Sequence, residues 1–498
     1  MSQRHGAIAA GHPLTVEAGA EVLAEGGNAF DAAIAALWMA CVCEPVLASP
    51  GGGGFLTALS ADRPAGGQSR VFDFFPATPA ARRREDEIEF AEIEVDFGTA
   101  RQAFHVGAGA SAVPGFVPGL FAVHEALGSV PMRRLAEPAI NAARTGVEIR
   151  PLQAYLLQVV EPICRWTAGA EALFTLDGKL PQAGAVMRNG DLGEAIDAIA
   201  REGPRIATEG EIAAAMASVS TDHGGHLSAQ DLRSYAVELR APIPITAGGY
   251  EVRLNPPPAL GGALVAAMLA RLDSGAAEDH IGRARAVDEV DRFWREAPTD
   301  PGRLLGGAAP RPAQATSRGT THVSVIDRQG NAAAATVSNG EGNGRPVPGC
   351  GFMLNNILGE DDLNPDGFHR WRTATRLGSM MAPCVAVHRD GAVVALGSGG
   401  SNRIRTAILQ VIANRCLAGM PIAEAIEAPR LHVERGRLDF EDLFPGGVRE
   451  ALTAAFPDHL AWPERNLYFG GVHAAERNAR GGFEAAGDPR RGGASRIA

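Results

Sequence analysis

A mixed α/β fold is what this sequence predicts, and three observations carry it. First, Thr320-Thr321-His322-Val323-Ser324-Val325-Ile326-Asp327 alternates as a half-buried strand should, Arg328-Gln329-Gly330 supplies a turn, and Asn331 to Ser338 reads as the returning strand. Second, Pro383 to His388 and Ala392 to Leu396 flank the turn Arg389-Asp390-Gly391, and the second of them runs through Gly397-Ser398-Gly399-Gly400-Ser401 into a helix reaching Leu417. Third, helical periodicity dominates the first half, broken by short β-branched runs. A chain of 498 residues has room for two or three ordinary domains or one large α/β unit.

Taken in order, Pro13 to Leu23 and Asn28 to Val42 read as helices. Asn28 is the expected N-cap, Asp31 sits in the first turn, and Gly26-Gly27 ends the helix before it. Pro50 to Gly54 reads as a glycine loop entering a strand at Phe55, with a tight turn between layers preferred over an anion cradle. Val71 to Pro76 is a strand, Gly115 to Leu127 a helix, and helical segments run from Arg133 to Ser218. Ser228 caps another helix, with Asp231 three residues on. Tyr250 to Leu254 is a strand, Gly261 to Arg271 a helix, and Ser274 to Gly319 a looser segment. The tail from Gly436 shows weaker patterning.

Composition narrows the function classes. Hydrophobic residues at 46% and charged ones at 21% describe a globular protein. A net charge of −11 argues against a nucleic-acid partner, since those proteins present basic surfaces. No run approaches the length of a membrane span, and no apolar leader precedes Gly11, so the expected setting is cytoplasmic without a membrane partner. The six cysteines are scattered and expected to be buried and reduced. The 13 histidines show no metal-ligand spacing, so neither a metal nor another cofactor is expected.

The hairpin's chemistry follows from its register. Pairing about Gln329 sets Ser338 opposite Thr320, about 5 Å away, which brings two hydroxyls to the open end. An internal threonine lacks a base. Cutting the Gly319–Thr320 bond would give Thr320 an α-amine, with a pKa of about 7.7–8.0, able to take the proton from its own Oγ. The glycines between strand and helix, Gly399 and Gly400, expose N–H groups that suit an oxyanion. Phosphate binding is the rival use, but the Lys-Ser/Thr ending of a phosphate loop is absent.

Further stretches extend this pattern: Gly11-His12-Pro13-Leu14, Gly26-Gly27-Asn28-Ala29-Phe30-Asp31-Ala32-Ala33, Glu44-Pro45, Gly51-Gly52-Gly53-Gly54-Phe55 and Val113-Pro114-Gly115. Pro256-Pro257-Pro258, Leu354-Asn355-Asn356 and Met381-Ala382-Pro383 follow. With the Thr-Thr-His-x-Ser segment and the Gly-Ser-Gly-Gly turn, their order resembles the γ-glutamyltransferase (glutathione hydrolase) family of N-terminal-nucleophile hydrolases. That resemblance implies a four-layer αββα sandwich built jointly from two self-cleaved segments, residues 1–319 and 320–498. It implies a hydrolase or acyltransferase made as a zymogen, with Thr320 as nucleophile, Ser338 as its assisting hydroxyl, and Gly399 and Gly400 as oxyanion hole. Glutathione or another γ-glutamyl compound becomes the reference small-molecule amide substrate, and a homodimer of the associated segments is an option.

The family's clamp for the glutamyl head group is mostly missing. Its arginine is replaced by Phe75 in Asp73-Phe74-Phe75-Pro76. Ser379 matches the first of two serines, while Met380 replaces the second. Ile357 stands for a Gln or Glu, Glu360 for an aspartate, and Gly340 for an asparagine, with Asn339 adjacent. Losing an arginine removes a bidentate carboxylate partner. No nearby aligned residue restores it, and Arg345 and Arg376 are the first to test for a rebuilt clamp. The expected substrate is therefore another amide, such as an oxamate-like, glutaryl or acyl-lactam compound; an unprocessed binding protein is the non-enzymatic alternative.

Overall fold

The computed structural model describes residues 4–61, 68–96, 101–272, 279–296, 319–361, 364 and 367–498. Two antiparallel sheets lie against each other, with helices on both outer faces. The first sheet has seven strands in the order Ala494–Ile497, Gly6–Ala10, Thr320–Asp327, Ala332–Ser338, Gly53–Ser60, Gln68–Phe74 and Glu238–Arg240. The second has six: Phe483–Ala486, Gly471–Arg477, Val393–Gly399, Cys384–His388, Tyr250–Leu254 and Ile243–Ala247. This is the expected four-layer αββα arrangement.

The central strands show why the layers form. Thr320–Asp327 and Ala332–Ser338 are buried along their whole lengths. Side chains alternate across a strand, so successive residues serve different cores. Val323, Val325, Ala333 and Ala335 join the core shared with the outer helices. Ile326, Ala332 and Ala334 meet Val385 and Ala395 between the sheets. The alanine run lets the two sheets approach closely, where larger side chains would force them apart.

The helix Ala29–Cys43 anchors the first outer layer. Asn28 Oδ1 accepts from the N–H groups of Phe30 and Asp31, and Asp31 Oδ2 accepts from Asn28 N–H, which satisfies the helix start reciprocally. The helices Pro13–Ala24 and Met132–Thr145 pack against it. On the other face, Leu260–Leu269 and Arg403–Ile412 cover the second sheet, and His280–Glu296 packs behind Leu260–Leu269.

Two expectations need correction, and one strand was not expected. The stretch read as a loose lead-in to the cut contains the helix His280–Glu296, while residues 297–318 lie outside the described ones. The tail is no weak appendage: Gly471–Arg477 and Phe483–Ala486 complete the second sheet, and Ala494–Ile497 closes the first. Gly6–Ala10, unforeseen, runs between Ala494–Ile497 and Thr320–Asp327. Its small residues carry almost no intrinsic strand preference, so partners decide its conformation. No described helix is long and apolar enough to cross a membrane. All six cysteines are buried and unpaired.

The glycine run before Phe55 is explained by packing. A Cβ on Gly52 would meet Ser338 O at 2.3 Å, and one on Gly54 would meet Thr336 O at 2.2 Å. The chain runs beside the hairpin strand Ala332–Ser338 at backbone contact distance. Gly54→Ala should therefore cost about 1–3 kcal/mol, because neighbouring backbone cannot yield cheaply. Gly190→Ala, with nothing within 4 Å of the new methyl, serves as the control. A Tm for Gly54→Ala equal to that of the control would refute this reading.

Candidate active site

The hairpin places Thr320 opposite Ser338, the register expected from the turn. Ser338 Oγ donates to Gly319 O at 2.5 Å and accepts from Gly340 N–H at 2.9 Å. Gly319 N–H donates to Glu341 Oε1 at 2.9 Å. Gly319 is thus held from both sides, its carbonyl by a hydroxyl and its N–H by a carboxylate. The fixed carbonyl belongs to the bond that joins Gly319 to Thr320. Gly340 makes the bend with φ +62, a conformation that glycine tolerates without strain.

Gly399 ends the strand Val393–Gly399, and Gly400 follows with φ +124. A Cβ on Gly399 would lie 2.3 Å from Thr320 O, so the turn and the threonine are in backbone contact. Any side chain here would drive them apart. Ser401 then adopts a left-handed conformation, φ +55, and the helix Arg403–Ile412 begins. Such strain in a non-glycine residue gathers at functional turns.

A cleft opens over the hairpin end, lined by Phe75, Leu260, Thr320, Ser338, Glu360, Ser379, Met380, Met381, Ser401 and Ile404. Of the residues expected to touch substrate, Phe75, Glu360 and Ser379 line it together with Thr320 and Ser338. Asn339 is buried but outside the lining, its side-chain amide without a hydrogen-bond partner among the described residues. Phe75 stacks on Phe55 with ring centroids 5.4 Å apart, in an apolar group that includes Ile357, Leu377 and Met381.

Neither candidate arginine reaches this cleft. The Arg376 guanidinium donates to Phe75 O, Tyr235 Oη and Ala236 O, and its Nε lies 3.4 Å from Asp73 Oδ1. Arg345 is paired with Glu89, Nε to Oε2 at 2.6 Å. No lysine or arginine lines the cleft among the described residues.

Behind Thr320 lies a second, smaller cavity, lined by Gly11, Glu44, Thr321, Gly399, His473 and Arg491 among others. Sequence reasoning quoted Glu44 only as part of a motif, and missed Arg491 and Glu341 altogether. Glu44 accepts from Thr321 Oγ1 at 3.0 Å and from Thr15 Oγ1 at 3.4 Å. Burial pushes its carboxyl up to about 7, against the hydrogen bonds from those threonines and the charge of Arg491. His322, buried between Thr336 Oγ1 and Ser324 Oγ at 2.7 and 2.8 Å, is held well below its usual range by desolvation. It is a structural histidine. Among the described residues no cluster of three or more His, Cys, Asp or Glu could hold a metal ion.

A sequence profile described as gamma-glutamyltranspeptidase matches residues 15–290 and 295–498. The Acylase ACY 1 proenzyme of Pseudomonas sp. (strain V22) is 32% identical over 486 residues, covering 90% of this chain and 86% of that protein. The glutathione hydrolase proenzyme of Bacillus subtilis (strain 168) is 28% identical over 510 residues, covering 90% and 84%. Among solved structures, a cephalosporin acylase from Bacillus halodurans superposes with a TM-score of 0.84 over 99% of this chain and 96% of that one, at 22% identity.

The raised Glu44 pKa makes a stability prediction. A carboxyl that binds its proton more tightly folded than unfolded destabilises the native state as pH rises from about 4.5 through about 7. Glu44→Gln removes that penalty, on the order of 3 kcal/mol above this window and nothing below it. The variant's Tm advantage over wild type should therefore grow between pH 4 and pH 8. An advantage independent of pH would show that Glu44 ionises normally.

Proposed function

The chain belongs to the gamma-glutamyltranspeptidase family, and from that premise we propose that it is a self-processing N-terminal-threonine amidohydrolase whose acyl substrate is not γ-glutamyl. It is an enzyme of hydrolase and acyltransferase type. The observation that carries the threonine chemistry is the pinned Gly319 carbonyl next to Thr320, with Ser338 Oγ donating to it.

Processing begins with attack of Thr320 Oγ on the Gly319 carbonyl carbon. The oxygen becomes negative, and Ser338 already donates to it. Collapse breaks the C–N bond as the proton lost from Oγ passes to the nitrogen, leaving Gly319 as an ester on Thr320 Oγ and the nitrogen as a free α-amine. Water then hydrolyses the ester to give a Gly319 carboxylate. In turnover that amine takes the Oγ proton, Oγ attacks the substrate carbonyl, and the oxyanion meets the N–H groups of Gly399 and Gly400. The leaving amine departs with the proton, and water or another amine releases the acyl group.

The non-glutamyl assignment rests on the cleft. Phe75 and Met380 present apolar surface where a charged head group would need partners, and Arg345 and Arg376 are engaged elsewhere. Burying a charged group against such walls is unfavourable. The Pseudomonas relative named as an acylase supports the same direction. A neutral or weakly polar acyl chain fits best.

Two experiments test this. Purified protein, without added protease, should separate on a denaturing gel into fragments starting at Met1 and Thr320. Thr320→Ala should stay whole and Thr320→Ser should still cleave. An intact wild-type chain would instead favour the binding-protein reading. For substrate, kcat/KM is compared among γ-glutamyl, glutaryl and butyryl anilides. The butyryl compound should equal or exceed the others, and Phe75→Arg should improve the γ-glutamyl or glutaryl compound by about tenfold or more, as one charge-assisted contact allows. A wild-type preference for γ-glutamyl of about 100-fold, more than one such bond supplies, would refute the assignment.

A further inference from the structure

The small cavity behind Thr320 contains a charge that the chemistry above does not use. Three arginines, Arg430, Arg490 and Arg491, are gathered at this end of the molecule, each at least nine-tenths buried. Two are fully engaged. Arg430 binds Asp488 and the carbonyls of Ile426, Phe469 and Gly470. Arg490 binds Glu441, Asp488 and the carbonyls of Ile426 and Ala428. Arg491 differs. It is 7% exposed, its Nε has no partner, and its guanidinium makes no hydrogen bond or ion pair among the described residues.

A buried cation without a partner is expensive, so its position calls for a reason. Arg491 Nη1 lies 3.3 Å from the point a Cβ on Gly399 would occupy, and Thr320 O lies 2.3 Å from that same point, which puts the guanidinium within about 6 Å of the Thr320 backbone. Its Nη2 stands 3.4 Å from the corresponding point on Gly400. Glu44 and Thr321 line the same cavity.

We propose that Arg491 is a positioning residue that tunes the nucleophile, its charge favouring the neutral, basic form of the α-amine freed at Thr320 while Glu44 across the cavity opposes it. This rests on the self-processing reading. A cation near an amine disfavours the ammonium form, so the amine loses its proton at a lower pH. Arg491 is itself lowered to about 10 by burial and by Arg403, which leaves it charged at neutral pH. Glu44, at about 7, is only partly ionised there, so the cavity is net positive.

The other groups facing the pair are accounted for. Arg403, Asp488 and Arg430 act on Arg491 and remain in every variant below. Cys41 and Cys43 beside Glu44 are held as thiols by burial. His473 and His322 are held neutral by burial. Glu341 holds Gly319 N–H, and Glu360 lies across the cleft.

The test is the pH profile of kcat/KM, whose acid limb reports the base of the free enzyme. It is measured on processed wild type, Arg491→Gln, Arg491→Lys and Glu44→Gln, with the most rapidly cleaved of the three anilides as probe. In Arg491→Gln the limb should move up by roughly one pH unit. Arg491→Lys keeps the charge and should hold the limb within about 0.3 unit of wild type. Glu44→Gln should move it down. A purely structural arginine would alter stability and leave the limb in place, so superimposable profiles of wild type and Arg491→Gln overturn the proposal. If Arg491→Gln does not fold, Arg491→Met, which removes the charge and keeps the side-chain length, decides: an upward shift upholds the proposal and an unmoved limb ends it. A wild type that never cleaves removes the self-processing reading and this proposal together. A cleaved, active wild type with unmoved limbs in the variants removes this proposal alone.

Discussion

Everything at the hairpin's open end depends on how its closed end is fastened. Asp327 Oδ1 accepts from the N–H groups of Gln329 and Asn331, and its Oδ2 accepts from Asn331 Nδ2 and from Ala29 N–H at the start of the long helix. One carboxylate therefore sets the turn and ties it to the outer layer. Strand register matters because a slip by one residue would turn every side chain to the opposite face. Thr320 would then point toward the helices, and Ser338 would lose Gly319. The pairing of Thr320 with Ser338 is fixed at the opposite end of the hairpin, by a residue with no part in the chemistry.

How much of this was legible in the sequence follows from the range of the forces involved. The hairpin could be read because its alternation and turn are local, and simple counting from Gln329 put Ser338 in its place. The glycines at 399 and 400 were legible as a strand-to-helix junction. The helix His280–Glu296 was obscured by the composition around it. Gly6–Ala10 and the closing tail strand gain their conformation only by pairing with each other and with Thr320–Asp327, so no window of sequence contains the signal. Charge is deceptive in the same way. Arg345 and Arg376 looked available to rebuild a carboxylate clamp, but Glu89 and the Asp73–Tyr235 region had already engaged them. Arg491, beside the fully engaged Arg490, was indistinguishable from it as text.

Phe75 sits where two kinds of packing meet. Its ring joins Phe55 inside the apolar group, while its backbone carbonyl is gripped by Arg376 and Tyr235. Asp73, two residues earlier, is fully buried between Arg240 and Arg376. The ionic network thus lies beneath the cleft wall, and at Phe75 the surface offered to a ligand is hydrocarbon. Polar support and apolar lining are separated into two layers only one residue thick.

The strand Gly6–Ala10 has a topological consequence. If the bond before Thr320 is cut, this strand belongs to the first fragment, yet both of its neighbours, Ala494–Ile497 and Thr320–Asp327, belong to the second. The second fragment's hairpin is flanked on its other side by Gly53–Ser60, again from the first. The two pieces would be interleaved like the fingers of clasped hands. Neither could leave without dissolving the sheet from within, so exchange of fragments between molecules would require global unfolding. The order of events is then forced as well: the chain must complete its fold as one polymer before any cut, and the cut product inherits an arrangement that separate pieces would have no simple route to assemble.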